Sequence, residues 1–369
     1  MGLSYKPKNI LLDKDGYLIS LNIIGIAVLF QRFIDKGLLF KGRKALIMPV
    51  LENIIETWED FLCCSNLFKV YSCENRDSGS WAYETAWKTT TDCSFHQTIV
   101  SNDLEATARL LIQSFQDAKG AGYQGWYLPR DKKDKKFKCS ATEKVVGMEQ
   151  VELVNSFLPS KQCETFEYNY YFAPLKKYET SDNHIVVQPL TESNRIEFVD
   201  LVKKNEGEVF LKNEELDKSD IFLEELNKQY QQIGFERRRF IYLAYARNGM
   251  DLVGAIVCYT GPLGINLRFL ESKSQLILSN QLSEDLVLEC CCKLLSSVVS
   301  HYENFIPNFI PVLTREKGAL GLKKLGAAFH TLYHMHAIVP EGNHAFDYHI
   351  TTMKKRLDRA MKIKRKRYS

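Results

Sequence analysis

Three consecutive arginines in "FERRRFIYLAYAR" (235–247) open a run that reads as a β-strand. Side chains alternate along a strand, so Arg237 and Arg239 share one face and Arg238 takes the other. Two guanidinium groups on one face suit phosphate or the O6/N7 edge of guanine, because each offers a planar fork that pairs bidentately. Related chemistry recurs in "WYLPRDKKDKKFK" (126–138), where Arg130 and Asp131 can read a guanine from two edges and Trp126 offers a stacking surface. "ENRDSGSW" (74–81) supplies Arg76 and Asp77 on a turn, with Trp81 beyond them. The candidate ligand set is therefore Arg237, Arg239, Arg130, Asp131, Trp126, Arg76 and Asp77, and the ligand it describes is an anionic nucleotide.

Acid–base groups are sparser. Glu271 precedes a strand-like run and has the chemistry of a base, while Tyr333 or His334 could return a proton. In "HTLYHMHAIV" strand alternation puts His330, His334 and His336 on one face, but no carboxylate or cysteine of metal-ligand spacing accompanies them. Neither a catalytic residue nor a metal site is assigned. The ten cysteines include the adjacent runs Cys63–Cys64 and Cys290–Cys291–Cys292, which lack C-x-x-C spacing and read as reduced thiols in a cytoplasmic protein.

The elements that must position these groups come in a legible order. At 369 residues the chain has room for two domains. Hydrophobic content of 45% and charged content of 25% are those of a globular fold, and a net charge of +4 permits an anionic ligand. The run "LISLNIIGIAVLF" (18–30) is too short for a membrane span and predicts a buried helix over about 17–33, with a second helix over 43–62. From residue 185 the pattern predicts strand, two helices and three strands, the first two joined at Asn248-Gly249. It continues as helix 283–302, strand 308–314, helix 316–329 and strand 331–339.

Part of that string occurs twice. "QTIVSND" (97–103) leads into a helix over 104–123 and then a strand, as "QLILSNQ" (275–281) does in the second half. Strands at 67–73 and 81–89 precede the first copy. The reading is a tandem duplication, with 160–184 as linker. Residues 1–180 form one domain, 181–345 a second, and 346–369 a basic tail with nine basic residues and one acidic in its last seventeen. Such a tail suits protein docking; without interleaved aromatics, direct nucleic-acid reading is not expected.

The order in residues 185–340 resembles the GCN5-related N-acetyltransferase (GNAT) fold. That resemblance implies an α/β fold of two mixed-sheet domains in tandem, with helices on both sheet faces. It also implies coenzyme A, its pyrophosphate cradled by a basic residue and spaced glycines where the fourth strand turns into a helix. The turns here read "SNQLSED" (279–285) and "SNDLEA" (101–106), without glycine or a basic residue. Glu284 and Asp285, or Asp103 and Glu105, take the first helical turn. A carboxylate ~4–6 Å from a phosphate at an effective dielectric near 20 repels it by about 3–4 kcal/mol. The chain is also similar, over 237–271 and 123–130, to cyanobacterial cyclic di-GMP receptors that lack a PilZ domain. Together these imply a non-catalytic regulatory protein that senses an anionic nucleotide, cyclic di-GMP first among them, and signals to a protein partner without a cofactor. The competing expectation is an acyl-CoA-dependent N-acyltransferase with an atypical loop, which would use acetyl-CoA.

Overall fold

The computed structural model describes residues 11–13, 15–21, 24–36, 45–117, 120–127, 155–156, 158, 160–180, 183–246 and 251–342, with 351, 352, 355 and 359. Two compact units emerge. One comprises the described residues of Met1–Trp126, Arg130–Thr165 and His336–Ser369, the other those of Tyr127–Pro129 and Phe166–Met335.

In the first unit, strands β1 (Leu11–Leu12), β2 (Leu18–Leu21), β3 (Phe68–Asn75), β4 (Ser80–Lys88) and β5 (Cys93–Ser101) run as an antiparallel meander. Helix α3 (Leu104–Asp117) then crosses back, and β6 (Gly122–Tyr127) pairs with β5 in parallel, from Cys93↔Gly122 to His96↔Gly125. Ala106 and Leu110 of α3 pack on Tyr71, Cys73 and Ala82, one face of the meander. The other face, through Phe68, meets Trp58 and Phe61 of α2 (Leu51–Phe61), and Trp58 in turn meets Phe30 and Phe33 of α1 (Ile26–Asp35).

The predicted helix over 17–33 is corrected. Leu18–Leu21 pairs with β3 from Leu18↔Glu74 to Leu21↔Tyr71, turned from β1 at Gly16 with φ +79°, and α1 begins only at Ile26. Apolar content alone does not separate strand from helix in so short a run. Among the described residues no helix is long and apolar enough to cross a membrane.

In the second unit the strand order is β13-β7-β12-β11-β10-β9-β8. The strands are β7 (Cys163–Pro174), β8 (Ile185–Pro189), β9 (Arg238–Ala246), β10 (Leu252–Thr260), β11 (Ser274–Leu278), β12 (Phe309–Thr314) and β13 (Ala328–Ile338). Strands β8 to β11 are antiparallel neighbours; after α7 (Glu284–Val298), β12 joins β11 in parallel. The segment expected to be a linker holds β7 instead. "CETFEYNYYFAP" is rich in aromatic strand formers, and its partner from Asn169 to Pro174 is β12. From Phe166 onward this strand packs with the second unit rather than closing the first.

One sheet face meets α7 and α8 (Glu316–Lys324): Leu276, Leu278 and Val312 pack with Val287, Cys290 and Leu294. Helix α8 stops short of the expected residue 329, because Gly326 turns the chain at φ +81° into β13. Gly321 lets α8 lie close on α7, since a Cβ there would stand 2.5 Å from Cys291 Sγ. Helices α4 (Arg195–Asn205), α5 (Glu208–Asn213) and α6 (Glu224–Gln231) follow β8, and α4 packs on β10 and β11. The edge strand β8 is blunted at Ile185, whose N–H donates to Glu289 (2.8 Å) and whose carbonyl accepts from Lys293 (2.8 Å). The fold is thus α/β, with two mixed-sheet units in tandem. Each has an antiparallel meander, a long helix and a returning parallel strand.

Candidate functional site

The parallel pairing of β11 with β12 runs from Ser274↔Val312 to Leu276↔Thr314 and no further. Beyond it β11 continues to Leu278 and a loop, while β12 passes directly into α8. The fork opens a cleft of about 580 Å³ at the C-terminal ends of both strands. In an open α/β sheet this is where a ligand is expected. Its apolar lining is Leu276, Leu278, Val287, Leu288 and Leu320. Its polar lining is balanced in sign: Arg315, Lys317 and Lys324 against Glu206, Glu284 and Glu316.

The fit to a coenzyme A pyrophosphate is decided at residues 279–282. A phosphate cradle needs backbone N–H groups with nothing else to bond. Here Asn280 N–H donates to Asn205 Oδ1 (2.9 Å), Gln281 N–H to Ser279 Oγ (3.2 Å) and Leu282 N–H to Ser279 O (3.1 Å). Asn205 is itself oriented, since its Nδ2 donates to Leu201 O at 2.7 Å. The loop carbonyls converge on a cation instead: Lys317 Nζ donates to Ser279 O (3.1 Å), Asn280 O (2.8 Å) and Leu282 O (2.7 Å). This turn presents acceptors to an ammonium where a cradle presents donors to an anion. Glu284 and Asp285 add like charge, but both are exposed and screened by water and salt. The spent amides are the larger obstacle. The residues present do not fit the pyrophosphate.

The first unit reaches the same result by another route. Asp103 caps α3, accepting Ala106 N–H at Oδ2 (2.8 Å), so a resident carboxylate already holds that helix terminus. Asn102 is tied to Trp81 N–H (2.7 Å) and to Gly79 O (2.9 Å).

Among the described residues, the predicted ligand candidates form no site within either unit. Arg237 and Arg239 do share a face, and Arg238 is exposed as alternation requires, but the shared face is the core: each of the two is 1% exposed. Arg237 Nη1 donates to Glu271 O. Arg239 donates to Ile221 O (2.9 Å) and Glu214 O (2.6 Å). Both guanidinium groups lie about 5 Å from the Tyr259 ring centroid, as does Lys273 Nζ. Glu214 balances them, bonded by Lys273 (2.6 Å) and Tyr259 OH (2.5 Å). Burial works to raise Glu214, yet Lys273 and Arg239 outweigh it and hold the carboxyl below its ordinary value. Trp126 is buried as well, stacked on Phe95 at 6.4 Å, and presents no platform to a base. Arg76 and Asp77 are exposed on the β3–β4 turn, and Arg130 and Asp131 lie outside the described residues, as do the Asn248-Gly249 turn and most of the basic tail.

The acid–base candidates do not converge either. Glu271 is fully buried; its Oε1 accepts Gly264 N–H (2.9 Å), its Oε2 has no partner, and burial pushes it up to about 8 against the pull of the Gly264 amide and Arg237. Tyr333 is buried and His334 turns to Glu167 (3.2 Å). Among the described residues no group of three or more His, Cys, Asp or Glu is arranged to hold a metal ion. Sequence reasoning missed Lys317, Asn205 and the cluster at the cleft's edge, where Tyr168 OH donates to Glu206 Oε2 (2.7 Å) and Arg315 Nε to the same oxygen (2.9 Å). Only Lys317 carried a signal, as a cation one residue into the helix that follows β12.

No protein family and no curated protein matches the chain. Among solved structures it aligns with a Drosophila protein at 10% identity, covering 86% of this chain and 97% of that one, with a TM-score of 0.43. A GCN5-related N-acetyltransferase from Sphaerobacter thermophilus aligns at 10% identity over 73% and 79% of the two chains, TM-score 0.38. A tandem GNAT protein from the clavulanic acid biosynthesis pathway aligns at 8% identity over 76% and 87%, TM-score 0.38. These likenesses are loose.

Proposed function

We propose that the protein is a non-catalytic ligand-binding protein built on an acetyltransferase-like scaffold, its cofactor loop closed on itself and its fork cleft left as the ligand site. The observation that carries this reading is the bonding at residues 279–282: three amides spent within the protein and three carbonyls held by Lys317. A diphosphate entering there must displace an ammonium from carbonyls and break amide bonds, each worth about 0.5–1.5 kcal/mol net and more where a charge takes part. The balanced lining favours a ligand that carries both signs, or one acidic group on an apolar body, over a dianion. Of the residues assigned to cyclic di-GMP from the sequence, none of the described ones lines this cleft. A regulatory role through a protein partner suits a binding protein without chemistry.

The reading of an N-acyltransferase with an atypical loop is favoured by one feature, the Tyr168–Glu206–Arg315 cluster beside the fork, and it requires the loop to give up its bonds. Isothermal titration with acetyl-CoA and with cyclic di-GMP separates these. We expect no heat from acetyl-CoA at concentrations that saturate a working acetyltransferase; micromolar binding would end the proposal.

A further inference from the structure

Cys63 and Cys64 belong to nothing assigned so far. Helix α2 ends at Phe61, and the turn beyond it leaves Cys63 exposed and Cys64 half-buried, whereas every other described cysteine is buried. The two Sγ atoms lie 3.8 Å apart, and the Cys63 thiol also donates to Asp60 O at 2.9 Å. The backbone around the pair is fixed. Cys64 N–H donates to Phe61 O (2.9 Å), and Cys64 O accepts from Leu67 N–H (2.9 Å) and Phe68 N–H (3.0 Å), residues of the core.

We propose that Cys63 and Cys64 form a two-sulfur site for a soft, thiophilic metal or metalloid, of which trivalent arsenic is the representative. Two observations select that class. Neighbouring Cα atoms are about 3.8 Å apart across a trans peptide, whereas disulfides span about 4.4–6.8 Å, so direct S–S closure strains the chain. An atom that bridges the sulfurs needs only side-chain rotation. Secondly, zinc in a structural site wants four ligands, and among the described residues no group of three or more His, Cys, Asp or Glu is arranged to hold a metal ion. A soft centre satisfied by two sulfurs has no such need. With an arsenoxide R–As=O, two As–S bonds form, the As=O bond breaks, and both protons leave with the oxygen as water; no electrons are exchanged.

The test is intact-mass spectrometry of the native full-length chain treated with phenylarsine oxide, in a Cys139→Ser background because Cys139 lies outside the described residues. The expected result is one adduct per chain, protection of both Cys63 and Cys64 from iodoacetamide, and removal by a dithiol but not by glutathione. The adduct should vanish in Cys63→Ser and in Cys64→Ser alike, and circular dichroism checks that both variants fold. An adduct that survives either change, an adduct stripped by glutathione, no adduct at all, or a Cys63–Cys64 disulfide in the unreduced protein would each overturn the assignment.

Discussion

Replacing Lys317 with methionine keeps the apolar stem and removes the ammonium that three carbonyls hold. Hydrogen bonds to a charged group are worth about 1.5–3 kcal/mol each when both ends are desolvated. Here the Asn280 carbonyl is exposed and the Ser279 and Leu282 carbonyls are partly so, and water will replace much of what is lost. The expected net cost is therefore near one such bond, ~2 kcal/mol. For a unit of this size each kcal/mol shifts the midpoint by roughly 2–4 °C, so calorimetry should show a fall of about 4–8 °C. Lys324→Met is the matched control: it changes an exposed lysine on the same helix that also lines the cleft, and surface changes of that kind stay within about 0.5 kcal/mol. If Lys317→Met proves as silent as Lys324→Met, the loop does not depend on the ammonium and the reasoning about the cleft fails.

Glu271→Gln tests the buried carboxyl through pH. Between its ordinary value of 4.5 and about 8 the folded chain keeps a proton that the unfolded chain has lost, so stability falls as pH rises through that window and levels off above it. At about 1.4 kcal/mol per pH unit the variant should gain several kcal/mol over the parent by pH 8 and match it below pH 4; urea unfolding curves that stay parallel across this range would contradict it. Arg239→Ala leaves buried carbonyls and Glu214 with a partner missing, and chemical denaturation should show a loss of about 3–5 kcal/mol. A stable Arg239→Ala that merely failed to bind a nucleotide would restore the ligand role expected from the sequence. Gly321→Ala drives a methyl toward Cys291 Sγ and should cost about 1–3 kcal/mol in the same assay; a neutral outcome would mean that α8 can slide.

Much of the architecture was legible because it is local. The alternation in β3, β4, β9 and β10, and the long helices after "QTIVSND" and "QLILSNQ", follow from neighbours in the sequence. Thr191 likewise starts its helical turn with a capping box that includes Asn194. What failed was set by distant partners. Alternation placed Arg237 and Arg239 together but could not say which face is buried. That is decided by Glu214, Tyr259 and Lys273, up to 36 positions away, and by the backbone carbonyls of Ile221 and Glu271. Trp126 read as an exposed platform for the same reason. The absence of glycine and the carboxylates Glu284 and Asp285 were visible at the loop, but the bonds the loop makes were not. The decisive groups, Asn205 and Lys317, lie 75 and 35–38 residues from the atoms they bind.

The backbone amides of Asn280, Gln281 and Leu282 report on the matter most directly, through their ¹H–¹⁵N shifts as acetyl-CoA is added to millimolar concentration. A loop that spends its donors internally leaves all three resonances where they were. Saturable shifts at these three positions would mean that a diphosphate has taken the place of Asn205 and Ser279, and that the scaffold still holds its cofactor.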